Sequence, residues 1–375
     1  MIIDRIELVH LKLPLNSPWK TAYGTEDSVE SLFLKAHSGK LSAWTETCAL
    51  SKPDYLPECS HSARIAIDQF FMELFLGKDF QTADEIHEAF SIYKGNTFAK
   101  SALELCWWAL TCKEENKALH QTIGGTKKAV EAGIAISLQK NNAALLKKID
   151  AALKTGYKRV KLKISPGKDR EMIAEVRQEF PKINLQVDCN GAYTRNDIDV
   201  LKSLDEFNLG LIEQPFYYTD IADHAELQAV IDTDICLDES IRSYHDAEQA
   251  IRLGACRSIA LKMGRVGGLS QLLKIHDLCK QNNIGCWIGG MLESPVGTMI
   301  NAHLASLPGI TNASDLPIGD ERYSLDFCEE VTAEKAKIHL TKDSWIKQDI
   351  DEDKLKDQAI FMQEYTVFLT ISAYE

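Results

Sequence analysis

The apolar residues fall into two rhythms, and the change from one to the other comes near residue 129. Before it, "IDRIELVHLKLPL" at 3–15 alternates as a strand does, and the missing amide of Pro14 is expected to end it. "SLFLKAHS" at 31–38 and "LSAWTETCAL" at 41–50 predict two further strands around a turn at Ser38-Gly39. "HSARIAIDQFFMELFLG" at 61–77 and "FAKSALELCWWALTCKEE" at 98–115 carry apolar residues at helical spacing. Polar, turn-rich stretches at 15–31 and 51–58 separate these elements, and long loops of that kind often carry function. Residues 1–125 therefore read as an α+β unit.

Residues 126–322 read differently. "VEAGIAIS" at 130–137 predicts a strand, and "NNAALLKKIDAALKTG" at 141–156 a helix that ends at Gly156. "RVKLKIS", "INLQVDCNG", "LGLIEQP", "TDICLDES", "CRSIALK" and "IGCWIGGMLES" then follow as strands with a helical stretch between each pair. Alternation of this kind means βαβ units and a parallel sheet, and six or seven in a row favour a closed (β/α) barrel. Beyond about residue 320 the pattern fades, and residues 323–375 are expected to return to the first unit.

Charge enters this pattern in phase with it. In "RVKLKIS", Val160, Leu162 and Ile164 alternate with Lys161 and Lys163, so both ammonium groups leave one face of the strand. Asp188, Glu213 and Asp238 follow Lys163 at intervals of 25 residues, and Lys262 comes 24 after Asp238. One charge thus recurs at the carboxyl end of each strand, which is where barrel active sites lie. Asn190 shares the face of Asp188. Any one of these carboxylates alone would read as a solvated strand end or a helix cap. Three of them in phase around a mouth repel one another, and a hard divalent cation, Mg²⁺ first and Mn²⁺ next, would relieve the repulsion. Such a cation also acidifies a carbon next to a bound carboxylate. Lys163 could then remove that proton, with Lys161 and the cation lowering its pKa. Lys262 could serve as a second acid/base or as a fixed cation facing the developing charge.

Composition narrows the partners. The 375 residues are 45% hydrophobic and 26% charged, with a formal net charge of -13, which argues against nucleic acid or an anionic membrane surface. No run of 18 apolar residues predicts a membrane span, and "MIIDRIELVH" lacks the apolar core of a signal peptide. Ten cysteines are scattered without a CxxC, as expected of reduced thiols in a cytoplasmic protein. A small-molecule carboxylate is the expected partner; association into a homo-oligomer is allowed, and its size is not fixed. "GRVGGL" at 264–269 lacks phosphate-loop spacing and reads as a tight turn into a helix. Trp107-Trp108, His120 and His303 read as structural, while Trp19, Tyr23 and Tyr55 on the polar loops suit packing and ligand contact equally.

Together, "KLK" at 161–163, "DCN" at 188–190, "EQP" at 213–215, "DES" at 238–240 and "KMGRVGGL" at 262–269 resemble the enolase superfamily, muconate-lactonizing branch. "GNTFAKSALELCWWAL" at 95–110, "LHQTIGGT" at 119–126, "GGMLES" at 289–294 and "LASLP" at 304–308 are similar to its family of o-succinylbenzoate synthases and N-succinylamino-acid racemases. The resemblance implies a modified (β/α)7β TIM-type barrel with an α+β capping domain. It implies Mg²⁺ held by Asp188, Glu213 and Asp238, with Lys163 and Lys262 as the acid/base pair. The activity implied is dehydration of a succinyl-hydroxycyclohexadiene-carboxylate to o-succinylbenzoate in menaquinone biosynthesis, with N-acylamino-acid racemisation or dipeptide epimerisation as the alternative. Lys161, Asn190, Gly290, Ser294, Tyr23 and Tyr55 are the substrate-binding residues it suggests, and "SPWKTAYGT" and "SKPDYLPE" look like the two specificity loops of the cap. Two stretches depart from the family. Pro295-Val296-Gly297-Thr298 replaces an isoleucine–glycine–arginine run, and "NASD" at 312–315 replaces leucine–proline–glycine–aspartate.

Overall fold

The computed structural model describes residues 1–319, 322–341 and 350–367. Three strands open the chain: β1 (Arg5–Lys20), β2 (Thr25–Ser38) and β3 (Leu41–Thr47). β1 does not stop at Pro14. It runs on as one arm of a long hairpin, with a register irregularity between Pro14 and Trp19 before Trp19 pairs with Glu26. The proline is tolerated because β1 has a partner on its other side only up to Leu11, so at Pro14 that side is an edge. The stretch at 15–31 expected as a loop is mostly this hairpin. The helix expected at 61–77 contains a π-helical turn at Ile67–Phe71 between Ser60–Ala66 and Met72–Phe75. Thr97–Glu114 forms an 18-residue helix, buried over most of its surface.

A barrel follows. Its strands are β4 (Ala129–Ile136), β5 (Arg159–Lys163), β6 (Asn184–Asp188), β7 (Leu211–Glu213), β8 (Ile235–Leu237), β9 (Ser258–Leu261), β10 (Gly285–Ile288) and β11 (Ser314–Asp315). They pair in parallel in the order β10-β9-β8-β7-β6-β5-β4-β11, and a bridge between Cys286 and Ile310 draws the two ends together. A helix follows each strand from β4 to β10, and none follows β11 among the described residues. This is a TIM-type barrel with a capping domain. Gly156 shows how the connections are made: at φ 107° it ends the helix Asn142–Thr155 in a left-handed turn that residues with a Cβ avoid.

Two late strands tie the chain together. β12 (Lys337–His339) pairs antiparallel with β4, and β13 (Ala359–Thr366) pairs antiparallel with β1. The cap sheet is covered on both faces. Ile6 and Leu8 join the main apolar cluster that runs through cap and barrel, while Val9, Leu11 and Leu13 pack with Val296, Phe327 and Leu355. Trp107 is buried with its indole donating to the Phe80 carbonyl, and His120 stacks on His303, so these residues are part of the packing. All ten cysteines are unpaired thiols. No helix among the described residues is long and apolar enough to cross a membrane.

Candidate active site

Because strand side chains alternate, Arg159, Lys161 and Lys163 leave β5 on one face, and all five residues of that strand are buried. β5 and β9 lie four strands apart in the ring of eight, so Lys163 and Lys262 approach from opposite sides. Both line one small cavity of about 40 Å³, together with Lys161, Asp188, Asn190, Gly290, Tyr23 and Tyr55. Trp19, Leu50, Asp315 and Arg322 complete much of its wall. The aromatic residues of the two polar cap loops therefore face the lysines. Ser294 does not line the cavity: its hydroxyl donates to Glu46 Oε2 at 2.6 Å and caps the helix Pro295–Leu304.

Two ionic clusters fill the site. In the first, Lys163 Nζ donates to Asp188 Oδ2 at 2.6 Å, and Lys161 Nζ lies 2.8 Å from Glu213 Oε2, 2.8 Å from Asp315 Oδ2 and 3.4 Å from Asp188 Oδ2. Arg159 Nη1 donates to Asp315 Oδ1 at 2.6 Å. Burial would raise the Asp188 carboxyl, but Lys163 and then Lys161 outweigh it and hold it down to about 2. Glu213 goes the other way. Burial, then the charge of Asp188, pushes it up to about 7 against Lys161. Lys161 is shared among three carboxylates, so its single charge leaves Glu213 short of compensation. In the second cluster, Lys262 Nζ lies 2.8 Å from both Asp238 Oδ2 and the Tyr55 hydroxyl, and Tyr55 donates to Asp238 Oδ2 at 3.0 Å. Arg265 Nη1 closes on Asp238 Oδ1. Burial opposes the charge on Lys262, but Tyr55, Glu239 and Glu213 outweigh it and raise its pKa.

The donor set fits a hard divalent cation. Asp188 and Glu213 are register partners on adjacent strands, buried, and mutually repulsive. Glu239 is 2% exposed, and its Oε2 has no hydrogen-bond partner. As the side chains stand, no three histidine, cysteine or acidic groups among the described residues are gathered for an ion. Lysines and Arg265 hold the carboxylates instead, and Asp238 in particular is turned to Lys262 and Arg265.

Several contributors carry no periodic charge, and of these only Asn190 was among the sequence's candidates. Gln214, between Glu213 and Pro215, is fully buried at φ 38°. Its Oε1 accepts the backbone amides of Asp238 and Ser240 at 3.0 and 3.2 Å, tying the end of β7 to the end of β8. Asn190 has φ 45°, and its Nδ2 donates to Glu239 Oε1 at 3.0 Å. Leu50 and Leu292, both in the cavity wall, have φ 63°. Left-handed backbone at non-glycine residues is costly, and such residues gather where surrounding structure enforces them. The only hint of Gln214 in the sequence was its position directly after Glu213.

A near-closed barrel with a cap, and buried acids and lysines converging at the strands' carboxyl ends, define a TIM-barrel enzyme. Residues 144–344 match the family model described as "Enolase C-terminal domain-like". The chain belongs to the enolase superfamily. It is 40% identical to the o-succinylbenzoate synthase of Enterococcus faecalis, over 89% of this chain and 90% of that one. It is 37% identical to the N-succinylamino acid racemase of Thermus thermophilus, over 89% of this chain and 91% of the relative. Its fold superposes on the crystal structure of an enolase-superfamily protein of Listeria innocua with a TM-score of 0.93 at 37% identity, covering 98% of this chain and 99% of the other.

Proposed function

We propose that the protein is a divalent-metal-dependent carbon–oxygen lyase, an o-succinylbenzoate synthase of menaquinone biosynthesis. The observation that carries this reading is the single cavity lined by Lys163 and Lys262, from opposed strands, and by Asp188. The named relatives supply the substrate class: a carboxylated cyclohexadiene with a succinyl arm and a hydroxyl that must leave. Asp188, Glu213 and Asp238 would hold Mg²⁺, or Mn²⁺ in its place. The ion, when bound, supplies positive charge for the substrate carboxylate and so acidifies the adjacent carbon. Lys163, freed from Asp188 and acting as the neutral amine after giving its extra proton to solvent, takes the proton from that carbon as its bonding electrons pass to the carboxylate as an enediolate. The same ammonium then returns the proton to the hydroxyl, which departs as water while the ring becomes aromatic. Lys262 holds a fixed positive charge on the opposite side, where the enediolate spreads its negative charge. The aromatic wall of Trp19, Tyr23 and Tyr55 excludes water from the reactive face. The site would work in the cytoplasm, a setting that the ten unpaired cysteines suit.

A second reading, N-acylamino-acid racemisation, is favoured by the opposition of the two lysines, since each could serve one hand of an α-carbon. Dipeptide epimerisation fits less well. Both oxygens of Asp315 are engaged by Arg159 and Lys161, which leaves none for a substrate ammonium. Incubation with Mg²⁺ in D₂O separates these readings. Rapid loss of the cyclohexadiene absorbance, with negligible α-exchange of N-succinyl amino acids by NMR, is expected. Exchange with inversion and slow dehydration would remove the lyase assignment.

A further inference from the structure

A second cavity, of about 660 Å³, opens between the start of the helix Thr97–Glu114 and the loops after β8 and β9. Its size falls within the range of small-molecule sites, roughly 300–1,000 Å³. Three chain segments that carry active-site groups continue into its wall. Tyr55 leads directly to Leu56-Pro57-Glu58, Asp238 to the stretch from Arg242 to Asp246, and Lys262 to Arg265-Val266-Gly267.

The wall has more positive than negative groups free to act. Its acids are already engaged. Glu58 accepts the amides of Phe98 and Ala99 at 2.9 and 3.0 Å, and Asp246 accepts the Arg242 amide and the Ser243 hydroxyl, each at 3.0 Å. Lys100 commits one donor, to the Tyr93 carbonyl at 2.6 Å. The Arg242 guanidinium makes no hydrogen bond among the described residues, and its nearest carboxylate oxygen, on Asp246, is 3.8 Å away. Gln271 is 7% exposed, and its buried Nε2 has no acceptor. A buried donor without an acceptor costs about 1–3 kcal/mol. Burial, and after it the charges of Lys274 and Lys100, hold the His87 imidazole below its usual pKa, as a positive environment does.

We infer that this cavity binds a small organic anion, a carboxylate or a phosphate ester, between Arg242, Lys100 and the Gln271 amide. Its occupant couples to the active site through the segments that carry Tyr55, Asp238 and Lys262. The coupling rests on the metal site proposed above, whereas binding in the cavity does not.

Calorimetric titration of the full-length protein with benzoate and, separately, with phenyl phosphate tests it and tells the two anion types apart. Saturable binding of at least one probe is expected. Arg242→Gln and Gln271→Leu, each checked for folding by circular dichroism, are each expected to weaken it tenfold or more. Benzoate is also expected to change the Mg²⁺ affinity at least twofold in the wild type and not in Arg242→Gln, as linkage requires. Binding unaffected by both substitutions would place the probe elsewhere and overturn the site. So would a dimer in light scattering that Arg242→Gln dissociates, since a second copy would then cover the cavity. An unchanged Mg²⁺ affinity would overturn the coupling.

Discussion

Gly289 lets Lys262 reach the active site by having no side chain. A Cβ there would stand 2.7 Å from Lys262 Cε, closer than real carbon atoms approach. Gly289→Ala is therefore expected to displace the ammonium and lower kcat tenfold or more, with the circular dichroism spectrum unchanged. Wild-type kcat in that variant would show that Lys262 needs no such exact path. Tyr55 is the other residue the charge pattern could not assign. Its hydroxyl donates to Asp238 and meets Lys262, and hydrogen bonds to charged groups contribute about 1.5–3 kcal/mol. Tyr55→Phe should thus slow turnover by roughly tenfold to a hundredfold, since about 1.4 kcal/mol is a factor of ten. For the metal, Asp238→Asn should lose Mg²⁺ binding in calorimetry and all activity while the protein stays folded. Retained activity would remove Asp238 from the ligand set. Lys163, Asp188, Glu213, Asp238 and Lys262 were legible because a strand end recurs once per βα unit. Gly289 and Gln214 were not, because their roles depend on what packs against them; Tyr55 was a candidate from its loop and from the resemblance, not from the charge pattern.

Elements of the barrel declare themselves through their boundaries more than their interiors. β8 has only three residues, yet "ICLDES" marked it because an apolar run stops at a charge. The helix Asn142–Thr155 was legible at its carboxyl end, and the structure adds the cap at its start. Asn141 caps it by accepting the Ala144 amide, and Gly156 closes it. A Cβ at Gly156 would lie 2.8 Å from the Lys335 backbone as well as forcing an unfavourable φ. Gly156→Ala is expected to cost roughly 1–3 kcal/mol, read as a lower urea midpoint with an unchanged m value. An unchanged midpoint would mean that the backbone there can relax. The hairpin arm beyond Pro14 was misread for a related reason. Whether a proline ends a strand depends on which side of it is paired: Pro14 keeps its pairing with Ser28 of β2, while β13, which comes from the other end of the chain, reaches only to Leu11 and leaves the far side an edge.

At the scale of the molecule, cap and barrel are joined by a buried carboxyl. Glu104, on the cap helix, accepts the Ser270 amide at 2.7 Å and its hydroxyl at 2.9 Å, at the start of the barrel helix Leu269–Gln281. Burial pushes its carboxyl up to about 7, above the usual 4.5. The folded state thus holds a proton that the unfolded chain releases between those values. The stability this contributes is full below about pH 4.5 and is lost as pH rises through 7. Relative to Glu104→Gln, the wild type should lose up to roughly 3 kcal/mol across that window, measured by urea unfolding. A difference that does not vary with pH would mean the carboxyl titrates normally. Away from that junction, Trp19, Tyr23 and Tyr55 line the small active-site cavity, of about 40 Å³, together with the barrel lysines. The chain's pattern alone determined the parallel barrel and the phase of five charges along its strand ends, because strand period and βα length are local properties; it took the 15–31 hairpin for a loop. Only the tertiary structure decided which acid each lysine holds, that Ser294 serves Glu46 and a helix end, that Asp315 is consumed by Arg159 and Lys161, and how tightly the cap closes. Those outcomes depend on distances between residues far apart in sequence, and in a buried site a difference of a few ångströms decides which charge is compensated.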